Sequence, residues 1–141
     1  LAGVQKALGE TGAAYAGYRE GVALAREIGN RYMETVGLIG LAGTAPGPDR
    51  MAYAREALTL ARDRGYRMLA GNALNALAAT EPTAEATFAR AVEALAVHAE
   101  TGHRLGEARA HELAAKTAPT PTEQAAHRAK AATLLTAILA P

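Results

Sequence analysis

The chain has 141 residues, of which 50% are hydrophobic and 21% are charged, a composition typical of one globular domain rather than of a disordered segment. Lys and Arg number fifteen and Asp and Glu fourteen, so the net charge is +1, and the interleaved signs exclude the concentrated basic face of a duplex-binding domain. Cysteine is absent and no apolar run approaches the ~20 residues of a membrane span. We therefore expect a cytoplasmic protein in which this segment contacts neither nucleic acid nor membrane.

Apolar residues recur at intervals of three and four along the chain, which is the period of amphipathic helices and not the alternation of strands. Leu24 and Ile28 show this period early in the chain, and Leu74 and Leu77 show it later. The pattern predicts an all-α fold. The predicted helices, in chain order, are 2–9, 13–28, 31–43, 49–64, 67–79, 83–100, 104–117 and 121–139.

A Gly-x-Arg signature separates some of these helices. It begins at Gly29, Gly65 and Gly102, at spacings of 36 and then 37 residues. Each glycine follows an apolar-periodic run, where a helix commonly ends in a left-handed residue that glycine adopts at least cost. The sequence therefore predicts three glycine-terminated helices at equivalent positions.

The arginine of the signature recurs in every complete unit, as Arg31, Arg67 and Arg104. These side chains either form a ladder that meets an acidic partner or fold back onto their own hairpins. Recurrence favours the second interpretation, because a site-specific role would not need repetition. The carboxylates expected to receive them, at the preceding helix ends, are Glu27, Asp63 and Glu100.

The remaining breaks contain proline and lie at 45–49, 80–83 and 117–121. Proline there stops one helix and occupies the first turn of the next, and Thr120 and Glu123 have the spacing of a capping box. Because the two kinds of break alternate, each unit consists of two helices. One hairpin cannot bury its apolar face alone, so repeats of this period predict a stack of hairpins. The predicted units, within one domain of residues 1–141, are about 1–29, 30–65, 66–102 and 103–141.

Alignment of the units shows a shared pattern in the first helix of each pair. The equivalent positions are Leu38, Leu74 and His111, then Leu41, Leu77 and Ala114, each of the latter followed by Ala. This pattern resembles the tetratricopeptide repeat (TPR) over nearly all of the chain. The resemblance implies an all-α, right-handed superhelix of about four antiparallel helix pairs, or about eight helices. The chain departs from the TPR pattern in lacking the early aromatic residue of the first helix and in replacing the turn proline with Gly-x-Arg.

The run Ala-Leu-x-Leu-Ala-Arg-x-x-Gly-x-Arg, from Ala57 to Arg67, is similar to the TPR-like arrays of large bacterial regulators. In those families, the antibiotic regulatory proteins and the large LuxR-type activators, the array lies beside a nucleotide-binding switch domain and a DNA-binding domain. The resemblance implies a sensor or docking module of a bacterial transcriptional regulator. A stand-alone scaffold or adaptor unrelated to transcription is the alternative. The first residue is Leu and Pro141 lies about where a fourth signature would fall, so we expect a fragment of a longer protein.

If the array curves as TPRs do, the first helix of each pair lines the inner surface. Each helix then contributes two residues three positions apart, on one face. The resulting groove would run from apolar through amide to charged, which suits a peptide or helix with one apolar and one polar end. The alternative is that the amides are solvated and the charged residues merely pair along their helix. The six residues predicted to line the groove are Val36, Ile39, Asn72, Asn75, Arg109 and Glu112.

The sequence predicts no enzyme, no cofactor and no metal site. It lacks Gly-x-Ser-x-Gly and a phosphate-binding glycine loop ahead of a lysine. His103, Glu107 and His111 form a His-x3-Glu-x3-His stripe, but no two of the four histidines have the four-residue spacing of a helical zinc site. We interpret the stripe as exposed. The predicted partner is a protein or peptide, or a neighbouring domain of the same chain.

Two further features predict contact between helices. Gly37, Gly40 and Gly43 recur at three residues within one predicted helix, which favours close packing against a neighbour. The last predicted helix ends in an apolar face that includes Ile138 and Leu139. A capping helix would carry a polar outer stripe, so we expect this face to meet a neighbouring domain or to form a homodimer.

Overall fold

A computed structural model describes the backbone of residues 2–141 and the side chains of residues 8–141. The chain is helical and residues 2–141 contain no strand, which confirms the all-α prediction. None of the helices in this described part is both long and apolar enough to cross a membrane. The seven helices formed by these residues are α1 (Ala2–Ile28), α2 (Arg31–Thr44), α3 (Asp49–Arg64), α4 (Arg67–Thr80), α5 (Ala84–Thr101), α6 (Arg104–Thr117) and α7 (Pro121–Leu139).

The first helix differs from the sequence prediction, because α1 is continuous where separate helices at 2–9 and 13–28 are predicted. The segment between them contains no proline, and glycine inside a helix costs only about 1 kcal/mol relative to Ala. A Cβ on Gly9 or Gly12 would meet nothing within 4 Å, so no neighbouring element forces a turn there. The described residues therefore form seven helices rather than eight.

The predicted helix ends are confirmed at both kinds of break. Gly29, Gly65 and Gly102 have φ of +75°, +72° and +70°, the left-handed conformation expected after a helix. At the proline break, the Thr120 hydroxyl accepts a hydrogen bond of 3.2 Å from the backbone N–H of Glu123. This bond satisfies one of the amides that a helix N-terminus leaves without an intrahelical partner.

The helices stack in chain order, each packing against the next. In addition, α2 contacts α4 and α4 contacts α6, whereas among the described residues α1, α3, α5 and α7 do not approach one another within 8 Å at Cα. The stack is therefore tighter on the side of α2, α4 and α6. The first helices of the last three predicted units are α2, α4 and α6, and we call the side on which they lie the inner side.

Small residues set the spacing between α1 and α2. A Cβ on Gly37 would lie 2.5 Å from Cγ2 of Val22, and one on Gly40 would overlap the Tyr18 ring. Close packing is thus confirmed for these two glycines. It is wrong for Gly43, where a Cβ would meet nothing within 4 Å.

Arginine side chains bridge the outer helices that do not touch through their backbones. Arg26 of α1 reaches Glu56 of α3 at 2.6 Å, and Arg62 of α3 reaches Glu93 of α5 at 3.6 Å. Such exposed pairs contribute about 0–1 kcal/mol each, so they set register more than stability.

The signature arginines bind other carboxylates than the sequence suggests. Arg31 pairs with Glu34 of its own helix at 2.8 Å instead of Glu27. Arg67 pairs with Glu100, at the end of the second helix of its own unit, instead of Asp63.

Candidate docking surface

The inner helices α2, α4 and α6 each present one face built from three positions spaced i, i+4 and i+7, which fall on one side of a helix. We call this surface the inner face. Six of its nine residues are the predicted groove residues, and the other three precede them by one turn. The inner face consists of Tyr32, Val36, Ile39, Met68, Asn72, Asn75, Leu105, Arg109 and Glu112.

The three residues that the sequence prediction missed are the most exposed apolar side chains of this face. Tyr32, Met68 and Leu105 occupy equivalent positions and are 43%, 45% and 41% exposed. They form an apolar stripe with one side chain from each inner helix. The sequence signal that could have found them is the residue after each signature arginine, which is apolar in all three units.

A cleft of about 380 Å³ opens on the inner face and contains four of the six predicted residues. Val36 lies outside it, half-buried and packed on the core. Glu112 lines a different cleft, between α6 and α7, together with Lys116 and Arg128. The structure therefore does not join the six predicted residues into one groove. The residues lining the inner cleft are Ile39, Asn72, Asn75, His103, Leu105, Gly106 and Arg109.

Asn75 connects two inner helices. Its Nδ2 donates a hydrogen bond of 3.0 Å to the backbone carbonyl of Gly106, and its Oδ1 is buried without a partner among the described residues. The alternative that this amide is solvated is therefore wrong. Arg109 is exposed and forms no ion pair with Glu112 in the described structure, so the alternative of an intrahelical pair is also wrong.

A buried histidine lies under the cleft. His98 of α5 is 0% exposed, and its ring fills the space left by Gly71 of α4 and Gly106 of α6. A Cβ on Gly71 would lie 2.7 Å from Cε1 of this ring. The His103 ring meets it edge-on with centroids 5.1 Å apart. Two missing side chains thus make room for one imidazole between α4 and α6.

This environment keeps His98 neutral. Burial is the main cause and the nearby His103 ring the second, and together they lower the pKa of His98 to about 4, against a smaller opposite effect of the Gly71 carbonyl. Neither ring nitrogen of His98 nor Nδ1 of His103 has a partner in good hydrogen-bond geometry, although the Gly71 backbone lies close enough to the His98 ring to favour its protonated form. An unsatisfied buried polar group costs about 1–3 kcal/mol, so this polar cluster weakens the stack locally.

The histidines form two separate pairs. His103 joins His98, while His111 is buried against His127 of α7, so the interpretation of an exposed His-x3-Glu-x3-His stripe is wrong. The two rings of the stripe point to different neighbouring helices. In the part of the chain that the structure describes, no three His, Asp or Glu residues are grouped to hold a metal ion.

A buried ion-pair cluster anchors the first inner helix. Glu34 is 4% exposed and receives Arg26 at 3.0 Å and Arg31 at 2.8 Å. Burial alone would raise the pKa of Glu34, but the two arginine hydrogen bonds outweigh burial and hold that pKa below its ordinary value. The Glu34 carboxylate is therefore ionised, and the two arginines balance its charge.

Arginines adjoin the apolar stripe, and two of them are paired with the carboxylates of Glu34 and Glu100. A signature arginine immediately precedes each stripe residue, and α4 contains no acidic residue at all. No protein-family model, no curated protein and no solved structure matches this chain.

Proposed function

We propose that this chain is a non-catalytic docking module that binds a segment of a protein partner across its inner face. The apolar stripe carries the proposal. Single exposed apolar residues are ordinary on protein surfaces. Here Tyr32, Met68 and Leu105 repeat at one position of three neighbouring helices, on the tighter side of the stack. Such alignment supports a ligand that crosses the helices in turn.

The surface chemistry favours an acidic, apolar segment as the partner. Packed neighbouring helices lie about 8–10 Å apart, and an extended chain advances about 3.3 Å per residue. An extended segment can therefore place every third side chain over a successive stripe residue. Arg104 and Arg109 lie beside the last stripe residue and complement carboxylates between those apolar side chains.

The regulatory context of the module is a proposal from the sequence resemblance. The run from Ala57 to Arg67 supports a place in a multidomain bacterial transcriptional regulator, where docking would be transmitted to an attached switch domain. In that setting the acidic segment belongs to a partner protein or to a neighbouring domain.

A peptide selection tests the docking proposal. The chain is immobilised and challenged with a library of random displayed peptides, and the enriched sequences are synthesised with a fluorescent label. We expect enrichment in Asp and Glu together with apolar residues. Met68→Ser should weaken binding of these peptides about tenfold, because it removes roughly 1.4 kcal/mol of apolar burial.

Val92→Ser is the matched control. Val92 is also 45% exposed, but it lies on α5, on the outer side of the stack. Its substitution should leave the affinity unchanged. Peptides rich in Lys and Arg, or an equal loss of affinity in the two serine variants, would contradict docking at the inner face.

A further inference from the structure

The last helix buries few of its own side chains in the stack. Among the described elements, α7 packs closely against α6 alone, with one ring contact from His127 to Phe88 of α5, and Ala131 is its only fully buried residue. Two clefts of about 480 and 330 Å³ open along the interface between α6 and α7. Elements with few buried apolar contacts open at the lowest free-energy cost. Polar contacts between α6 and α7 therefore bear on whether α7 stays docked.

A histidine pair provides that contact. Nδ1 of His111 on α6 and Nδ1 of His127 on α7 are 2.9 Å apart. One nitrogen must donate and the other accept, so the bond requires at least one neutral ring. His111 is 5% exposed, and the His127 ring meets Phe88 of α5 with centroids 6.0 Å apart. The His111 ring is therefore shielded from water while α7 is docked.

The charges around the pair are of both signs. Lys130 of α7 opposes a second positive charge, whereas Oε1 of Glu107 on α6 lies 3.9 Å from Nε2 of His111 and favours one. Burial is the largest influence, followed by His127 and Lys130, and together they lower the pKa of His111 below its ordinary value. Phe88, the contact from α5, carries no charge.

We propose that α7 is an acid-released segment: protonation of both His111 and His127 removes the hydrogen bond between α6 and α7 and detaches α7 from the stack. With both nitrogens protonated, two N–H groups and two positive charges face each other across 2.9 Å. In the detached state the His111 ring is hydrated and takes up a proton near pH 6.5, the ordinary value for histidine. The docked state binds fewer protons, so acid favours detachment.

The direction of the pKa shift of His111 determines the pH range in which α7 is released. A histidine whose pKa is lowered in the docked state contributes docking stability that is complete above pH 6.5 and declines as the pH falls below it, down to the lowered pKa of His111. Each proton taken up on release changes the docking equilibrium by at most about tenfold per pH unit. Detachment uncovers the face of α6 that carries His111 and Ala115.

Amide hydrogen exchange of the full chain between pH 7.5 and 5.0, corrected for intrinsic exchange rates, tests the proposal. In the His98→Leu background, which removes the buried imidazole whose protonation would destabilise the whole fold, we expect protection of α7 amides to fall at least about tenfold on acidification, while α3 amides keep theirs. His127→Asn retains a hydrogen-bonding group near Nδ1 but does not titrate. In this variant the protection of α7 should depend less on pH, because the charge on His127 is removed while the buried His111 still titrates.

Two more variants keep the proposal testable if that substitution impairs folding. Glu107→Gln removes the carboxylate that favours protonation, so release should require a lower pH. His103→Gln alters the other histidine pair and should leave the release of α7 unchanged. The proposal is overturned if α7 protection is the same at both pH values, if α3 loses protection in parallel, or if Glu107→Gln leaves the midpoint unmoved.

Discussion

Acidification should destabilise the fold through His98, and the size of the effect follows from its burial. In the native state the pKa of this imidazole is about 4, whereas an unfolded chain gives histidine a pKa near 6.5. Between these two pKa values the unfolded state therefore binds a proton that the native state does not bind. Stability from this group is complete above pH 6.5 and is lost as the pH falls towards 4.

The difference of about 2.5 pKa units corresponds to about 3.4 kcal/mol at 1.36 kcal/mol per unit. Between pH 7 and pH 4.5 the expected loss from His98 is about 2.5 kcal/mol, a large share of a typical domain stability. Stopping at pH 4.5 limits the contribution of carboxylates such as Glu34, whose pKa is lowered and which titrate in more acidic solution.

Urea unfolding followed by circular dichroism measures the effect at pH 7.0, 6.0, 5.0 and 4.5. His98→Leu fills the same space without a titratable group, so the difference between the two pH profiles isolates His98 from the other histidines. We expect the variant to lose about 2.5 kcal/mol less than the parent over this range. Parallel profiles would refute the reasoning, since they would mean that the imidazole is hydrated or already protonated in the native state.

Five other substitutions test the packing. His98→Ala should cost about 2–4 kcal/mol in urea unfolding, and Gly71→Leu should recover part of that loss in the double variant while clashing when made alone, because a Cβ at this position would meet the His98 ring. Glu34→Gln should lower the free energy of unfolding by about 2 kcal/mol, because two ion pairs lose their acceptor. In 1 M salt the difference in this free energy between parent and variant should be smaller. An unchanged free energy of unfolding would mean that the ion pairs are only surface contacts. Gly43→Ala should raise the thermal midpoint, because this glycine lies in a helix with open space around it. Gly102→Ala should cost about 1 kcal/mol of stability and lower the thermal midpoint, because its φ is +70°. Shifts of equal sign in the two variants would contradict this assignment.

Sequence reasoning succeeded where local chemistry decides the structure. Glycine and proline act within a few residues, so the helix ends at Gly65 and Gly102 follow from the chain alone. The prediction failed at Gly9 and Gly12 because a glycine within a helix is a small local cost that the rest of the helix absorbs.

The site was only partly predictable because it depends on which helix faces which. His98 is equivalent to Ala25 and Ala61 of the other units, and Gly106 is equivalent to the buried Leu69. A large side chain and a small one have exchanged places between neighbouring helices. Each change is visible in the aligned units, but the compensation between them becomes apparent only when the helices are stacked.

The inner-face residues divide in the same way. Periodicity identified Asn72 and Asn75 as one helix face, yet the bond from Asn75 to Gly106 depends on the distance between α4 and α6. Periodicity also assigned the exposed Met68 no special place, because an apolar residue early in a helix usually serves the core.

The most direct test of the inner face as a docking surface uses the three methionines of the chain, Met33, Met51 and Met68. Met68 lies in the apolar stripe, whereas Met51 is half-buried at the start of the outer helix α3. In a protein labelled with ¹³C at the methionine methyl groups, a selected acidic peptide should shift or broaden the Met68 signal and leave that of Met51 in place. A Met51 signal that moves while Met68 stays unchanged would contradict binding across the inner helices.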